Sequence, residues 1–290
     1  MNVTEAKFAL LDQVSSDYLS GASGLTDRWL FEQTLYTASV RRLILQYFPF
    51  VPHTKVLDAG TGFGILALEL AGQLPVNVIG VDVDDSKLSV AKELQSRLNQ
   101  ANYFYSGSEV QFRNENLYAL SFKGEEFDSV ISRFVYQHLD DPMRATRELY
   151  RVMRAGGYIC IIDVDDQFSI TYPESKGAMQ KLEQAFAEMQ AKRGGDRFVG
   201  RKLSTYLHEA GFEIQGTAIQ PMAQHSVMKS TDASHQFFLN RLYGAKEEMI
   251  AKDILTEKEF EQYVREVSDH EGIVQFNTNA QVVVIAKKPD

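Results

Sequence analysis

The sequence lacks the features that mark secreted and membrane proteins. Its one cysteine, Cys160, lies in an apolar run, so we expect a buried thiol and no intramolecular disulfide. No run of 18 or more apolar residues occurs, so no membrane span is expected. Residues 1–11 lack the basic start and long apolar core of a secretory signal. These absences predict a cytoplasmic protein that does not interact with a membrane.

Basic stretches and paired histidines are also missing. The formal net charge is −9, and no lysine- or arginine-rich stretch occurs, since Arg41-Arg42, Lys192-Arg193 and Arg201-Lys202 are isolated pairs. Because proteins that bind nucleic acid present a basic face, no nucleic-acid partner is expected and a small-molecule substrate is favoured. The six histidines are scattered, which argues against a zinc site. The hydrophobic content of 44% is ordinary for a globular chain, and 290 residues suit one large α/β domain with additions.

The chain is organised around residues 55–69, which read KVLDAGTGFGILALE. A short apolar run stops at the loop Gly60-Thr61-Gly62-Phe63-Gly64 and continues as an amphipathic stretch with helical spacing. This order predicts a strand, a tight loop and the start of a helix. Glycines let the backbone approach a ligand closely, and the N–H groups of the following helix favour its polar groups. Such a loop predicts a site for a nucleotide-like molecule.

The spacing of the glycines indicates which molecule that is. The dinucleotide fingerprint is G-x-G-x-x-G, whereas the third glycine position of that pattern holds Ile65 here. Asp58 precedes the first glycine by two positions, and Asp82 ends the next predicted strand. This D-x-G-x-G-x-G pattern with a second acid resembles the class I S-adenosylmethionine-dependent methyltransferases. The resemblance covers roughly residues 55–165 and returns more weakly at the C-terminus.

The resemblance implies an α/β fold, a doubly wound Rossmann-like sheet of seven mostly parallel strands with an N-terminal and an inserted helical cap. Three regions are expected: an N-terminal helical lid (1–50), a cofactor-binding core (51–168), and the remainder of that core with strands six and seven and helical insertions (169–290). Strands are predicted at 55–59, 76–82, 110–114, 127–132, 158–163, 212–217 and 281–286. A single helix is expected over 27–48 and a helical insert over 232–267.

The resemblance also assigns residues to the cofactor, S-adenosyl-L-methionine. Asp82 would bind the ribose hydroxyls, and Asn116 would bind the adenine amino group where the family usually has an aspartate. Arg28, on a lid helix, would bind the methionine carboxylate. The full set expected at the cofactor comprises Arg28, Asp58, Gly60, Thr61, Gly62, Gly64, Asp82, Val83, Asn116, Leu117 and Arg133.

Residues 133–138 are expected to line the reaction pocket, because ligands of open α/β sheets bind at the carboxyl ends of the strands. His138 is the candidate general base, since its ordinary pKa lies near neutrality. Tyr136 is a candidate orienting hydroxyl, and Tyr18 and Trp29 would contact the acceptor from the lid. For each of these residues, plain packing is the alternative interpretation.

Asp163, Asp165 and Asp166 form an acidic run at the end of the fifth strand. Carboxylates at this spacing can bind a divalent cation, but turn and helix-cap roles are favoured, and no metal is expected.

The leading interpretation is a methyltransferase that acts on an O or N atom of a small molecule, of which secondary metabolites are one class. A protein or RNA acceptor is a second interpretation, and the acidic charge argues against RNA. A nonenzymatic S-adenosylmethionine-binding protein is a third, which Asn116 leaves open. A nicotinamide-dependent dehydrogenase is a fourth. The sequence does not identify the acceptor or the oligomeric state.

Overall fold

The computed structural model describes residues 3–22, 24–174, 177–227, 233–268 and 274–290. Within these ranges a single sheet has the strand order β3-β2-β1-β4-β5-β8-β6, and β7 pairs with β8. The strands are β1 Lys55–Ala59, β2 Asn77–Asp82, β3 Glu109–Asn114, β4 Phe127–Arg133, β5 Met153–Val164, β6 Ile170–Tyr172, β7 Glu213–Val227 and β8 Val274–Lys287.

The first five strands are parallel, and the remaining pairings are antiparallel. Strands β1 and β4 are almost continuously buried, as expected for parallel strands that are covered on both faces. The predicted Rossmann-like sheet is therefore confirmed, with the short β6 as an eighth strand. Cys160 is fully buried on β5, as predicted.

Helices cover both faces of the sheet and form a cap at one edge. They are α1 Val3–Gly21, α2 Arg28–Tyr36, α3 Ala38–Tyr47, α4 Ile65–Gln73, α5 Asp85–Gln100, α6 Pro142–Val152, α7 Ala178–Ala191, α8 Leu203–Glu209, α9 Ala233–Ala251 and α10 Glu257–Ser268. Buried side chains of α7, α9 and α10 form a small core of their own. None of the described helices has the length and apolar character needed to span a membrane.

Two predicted helices are each divided in the structure. The helix expected over 27–48 breaks at Thr37, whose hydroxyl donates to Gln33 O at 2.8 Å and competes with the helical backbone. The insert expected over 232–267 is two helices, α9 and α10, and residue 232 lies outside the described residues. Strands β7 and β8 are longer than predicted, because they continue as an antiparallel pair beyond the parallel sheet.

Candidate active site

The loop between β1 and α4 is built by three glycines with positive φ angles, 80° at Gly60, 53° at Gly62 and 76° at Gly64. A Cβ on Gly64 would lie 2.6 Å from Phe112 and 2.7 Å from Ala91, so this glycine is packed into the protein. A Cβ on Gly62 would meet no heavy atom within 4 Å. The loop therefore packs tightly on one side and leaves the backbone open on the other, where a ligand can approach it.

Two acids fix this loop. Asp58 is 1% exposed and accepts a hydrogen bond from the Thr61 hydroxyl at 2.6 Å, and burial raises its pKa to about 7. Asp82 accepts from the backbone N–H of Gly62 at 2.9 Å and of Asp84 at 3.0 Å. Because each carboxylate oxygen has a further lone pair, Asp82 can still accept two hydroxyl hydrogen bonds.

The residues expected at the adenine lie on the neighbouring strand ends. Val83 is 65% exposed directly after Asp82, and its carbonyl accepts from the Asn114 side chain at 3.1 Å. Asn116 is exposed, and its Oδ1 accepts from Tyr118 N at 2.9 Å, which leaves one lone pair for a ligand. Leu117 is buried in the core beneath. The structure thus brings Asp82, Val83 and Asn116 to one edge, and their cofactor roles stay predictions.

The two arginines expected at the cofactor differ in their surroundings. Arg28 pairs with Glu32 at 3.0 Å and donates to the carbonyls of Leu19 and Ala22 at the end of α1, so its guanidinium is engaged in fixing the lid. Arg133, at the end of β4, lies within ion-pair distance of no carboxylate in the described ranges. It donates to the Thr37 hydroxyl at 2.8 Å, and its buried Nε has no partner there.

Arg133 carries its charge in an unfavourable position. Desolvation, together with the nearby Arg41, lowers its pKa to about 9, although Glu69, Asp163 and Asp58 lie near enough to oppose the shift. Phe134, the next residue, has a φ of 60°, which is rare for a bulky side chain, and its ring centroid lies 4.0 Å from the guanidinium. Such strain concentrates at functional sites. Arg133 is therefore better placed than Arg28 to bind a carboxylate.

The lid helices meet the sheet edge at two points. Thr37, between α2 and α3, contacts Arg133, and Asp27 at the start of α2 pairs with Lys87 of α5 at 3.1 Å. Trp29 packs edge-on against Phe186 of α7, with 6.3 Å between ring centroids. Tyr18 stacks on Phe31 at 5.9 Å, and so it supports the lid from behind.

The structure contradicts the prediction that the Tyr136 hydroxyl orients the acceptor. It is 0% exposed, and its hydroxyl is 3.0 Å from the Thr146 hydroxyl within the core. The side chain points into the protein because Tyr136 begins a 3-10 turn at the end of β4, which turns it beneath the sheet edge. The structure does not bring the Tyr136 hydroxyl to the pocket, so it is not available to orient an acceptor.

Side chains of the cap hold His138 after the end of β4. Gln190 of α7 reaches its Nδ1 at 3.2 Å and also reaches Gln137 Oε1 at 3.4 Å. Because Gln137 Oε1 accepts from Arg197 at 2.6 Å, the facing atom of Gln190 must be its NH₂ group. The network therefore assigns Nδ1 as an acceptor and places the ring proton on Nε2.

The electrostatics of His138 favour the neutral ring. Desolvation and the nearby cations Arg197, Lys87 and Arg193 lower its pKa to about 4, against a smaller opposing effect of Asp27. Because Nδ1 already accepts a hydrogen bond from Gln190, the His138 ring can offer only its Nε2–H to a ligand. This geometry favours a hydrogen-bond donor over the predicted base.

The three acids at the end of β5 and just after it have separate partners. Asp165 pairs with Arg201 at 2.5 Å, and it also accepts from Gln167 N at the start of a short 3-10 turn. Asp166 pairs with Arg197 at 2.6 Å. Asp163 is fully buried and accepts from the backbone of Val164 and Gln137, and its burial raises its pKa to about 7.

Several contacts at this edge had no sequence signal, although Gln137 lies in the segment 133–138 that was predicted to line the pocket. Gln137, Gln190 and Arg197 connect the cap to the end of β4, and Arg241 of α9 stacks on Phe186 with 3.7 Å from guanidinium to ring centroid. These contacts join residues more than 40 positions apart. No local pattern could have found them.

Comparison with known proteins agrees with this geometry. Residues 57–161 match the family model of a methyltransferase domain. The ubiquinone/menaquinone biosynthesis C-methyltransferase of Geotalea daltonii is 27% identical over 127 residues, which are 43% of this chain and 52% of that protein. The chain thus spans about half the length of this curated relative.

Solved structures resemble the chain over more of its length. A proposed methyltransferase of Bacillus halodurans has a TM-score of 0.57 and 19% identity, and the match covers 87% of this chain and 100% of that one. The (4+2)-cyclase SpnF has a TM-score of 0.56 and 17% identity, covering 99% and 96%. At these identities the structures show the fold alone. The family match shows that residues 57–161 form a methyltransferase domain, and the fold of the solved structures agrees with the class I S-adenosylmethionine-dependent methyltransferases.

Proposed function

We propose that the protein transfers the methyl group of S-adenosyl-L-methionine to an O or N atom of a small molecule. The observation that carries the proposal is the arrangement at the carboxyl edge of β1, β2 and β4. There the open side of Gly62, the carboxylate of Asp82 and the guanidinium of Arg133, which pairs with no carboxylate in the described ranges, share one edge under the cap.

The residues present fit the three parts of this cofactor. Asp82 would accept from the ribose hydroxyls, while Val83 and Asn116 would contact the adenine. Arg133 would bind the methionine carboxylate, which would supply the counter-charge that Arg133 lacks. The bound cofactor supplies an activated methyl group, and the protein then supplies placement, dehydration and charge. Orientation of an acceptor alone can contribute about 7–11 kcal/mol to lowering the barrier.

A small acceptor is favoured by the way the cap meets the edge. Gln190 and Arg197 bring α7 and the following loop onto Gln137 and His138, so the space above the edge is bounded by side chains. The name of the Geotalea relative also describes an enzyme of small-molecule biosynthesis. Because that relative is a C-methyltransferase, a carbon acceptor is the alternative to O or N.

The fold alone does not determine the reaction, since a cyclase shares it over nearly the whole chain. Calorimetry with S-adenosylmethionine and S-adenosylhomocysteine tests the first step. Asp82→Ala should weaken binding by roughly 1–3 kcal/mol, whereas Asp85→Ala, an exposed acid three residues away, should leave it unchanged.

Transfer itself is tested by a radiolabelled-methyl screen on small-molecule extracts. A labelled small product that Asp82→Ala fails to make is the expected result. Failure to bind either form of the cofactor would reject the proposal. Tight binding with no labelled small molecule would favour the nonenzymatic interpretation, and label in protein or RNA would favour a macromolecular acceptor.

A further inference from the structure

Arg241 has no charged partner among the residues that the structure describes. It is half-buried on α9, and its guanidinium lies over the Phe186 ring at 3.7 Å. Within the part of the chain that the structure describes, it forms no hydrogen bond and no ion pair. Charged side chains that leave water are normally paired, because an uncompensated charge is costly. A ring face replaces only part of the lost hydration.

The position of Arg241 connects it to the reaction edge. Phe186 lies one helical turn before Gln190 on α7, and Gln190 contacts His138 and Gln137 at the end of β4. Residues four apart share a helix face, so Arg241 packs on the face of α7 that meets this edge. Trp29 of the lid closes on the same Phe186 ring. The guanidinium thus adjoins an aromatic wall made by the lid and the cap.

The neighbouring charges do not neutralise Arg241. Arg197 is engaged by both oxygens of Asp166 and by Gln137, so this pair contributes little net charge. Glu183, on the same side of α7, is near enough to interact with Arg241 but lies beyond ion-pair distance. Burial and the charge of Asp166 raise the pKa of Glu183, and its carboxylate lies too far from Arg241 to pair with it directly.

We propose that Arg241 binds an anionic group, a carboxylate or a phosphate, of the methyl acceptor, whose apolar part lies against Phe186 and Trp29. A guanidinium matches both anions through two parallel N–H donors. The inference rests on the proposed function, because it treats this recess as the acceptor site. It narrows the acceptor class to small molecules with a fixed negative charge.

The experiment uses simple aromatic anions as probes. Benzoate and phenyl phosphate, with the uncharged benzamide and phenol as counterparts, are titrated into the full-length protein saturated with S-adenosylhomocysteine, at constant ionic strength. The anions should bind saturably and the neutral counterparts about tenfold or more weakly. Arg241→Gln should weaken anion binding about ten- to a hundredfold and leave S-adenosylhomocysteine binding unchanged. Whichever of benzoate and phenyl phosphate binds more tightly shows whether the site prefers a carboxylate or a phosphate.

Two further variants make the result specific. Arg265→Gln, the same change at an exposed position of α10, should bind the anions like the wild type. Glu183→Gln should bind them more tightly, because it removes a repelling charge.

Equal binding of charged and neutral probes to the wild type, which requires no variant, would overturn the inference. So would full anion affinity in a folded Arg241→Gln protein, or weaker affinity in Glu183→Gln. A protein that fails to bind S-adenosylhomocysteine would instead contradict the proposed function.

Discussion

Two layers of the molecule use the same residue types in opposite ways. In the layer packed under the lid, Arg41 is 1% exposed and donates to Glu69 at 2.8 and 2.5 Å. In the layer that faces the cap, Arg133 has only neutral oxygens as partners among the described residues. The glycines divide similarly, because Gly64 is packed against side chains and Gly62 is open.

The contrast between Arg41, which is paired with Glu69, and Arg133, which is paired with no carboxylate among the described residues, indicates how structural and functional arginines can be distinguished. An arginine with a buried carboxylate partner stabilises the fold through that pair, and its removal leaves a charge behind. An arginine that the protein desolvates without a partner destabilises the folded state. A bound anion would remove that cost. The test is to replace the matched residues of the two layers and ask whether stability or ligand affinity changes.

The largest effect is expected at Arg41. Arg41→Met leaves Glu69, also 1% exposed, with only Arg42 at 2.8 Å, and should lower the free energy of unfolding by about 3–5 kcal/mol. Denaturant unfolding measures this loss. The double change Arg41→Met with Glu69→Met should restore most of it, because no unpaired carboxylate remains. A loss equally large in the double variant would contradict the assignment.

The glycine loop should give the next largest effect. Gly64→Ala forces a Cβ into Phe112 and Ala91 at a positive φ, and it should destabilise the protein by about 2–4 kcal/mol. Gly62→Ala meets no atom and should cost about 1–2 kcal/mol for its φ alone. Cofactor titration should show that, relative to its loss of stability, Gly62→Ala loses more cofactor affinity than Gly64→Ala does. The comparison fails if both variants lose stability equally.

Replacing Arg133 should weaken ligand binding and should not lower the stability of the free protein. Arg133→Met should weaken S-adenosylhomocysteine binding by about 1.5–3 kcal/mol, because it removes a charged hydrogen-bond donor. Binding of methylthioadenosine, which lacks the amino acid part, should be unchanged. Calorimetry with both ligands measures the difference, and Arg28→Met is the matched control on the lid. If Arg28→Met instead shows the selective loss, the original sequence prediction is right.

The sequence predicted the parts of the site that are local in the chain. The strand ending at Ala59, the loop to Gly64 and the acid Asp82 follow from short patterns, since backbone geometry depends on neighbouring residues. The direction of a side chain in an irregular turn does not follow from a short pattern. For this reason the sequence placed Tyr136 in the pocket, although its hydroxyl is hydrogen-bonded to Thr146 in the core. Nor did any pattern distinguish Arg28 from Arg133.

The cap could not be predicted for a related reason. Arg197 reaches Gln137 across 60 positions, and Gln190 reaches His138 across 52. Such contacts depend on how the long antiparallel strands β7 and β8 and the inserted helices pack onto the sheet. The proposed acceptor site is argued from these contacts, so the position of Arg241 could not be inferred from the sequence.

His138 should give the smallest effect of the four. Because its pKa is lowered to about 4, the ring is neutral from pH 5.5 to 8, and its Nε2–H is a donor. His138→Gln keeps an N–H donor, so turnover should fall by less than about tenfold, whereas loss of a true base costs about 10²–10⁴-fold. The pH–rate profile of the wild type should show no inflection near 6.5 that His138→Gln removes, and His208→Gln, an exposed histidine on α8, controls for nonspecific effects. An inflection that disappears in His138→Gln alone, with a large loss of turnover, would restore the base and would mean that the Gln190 contact opens when the acceptor binds.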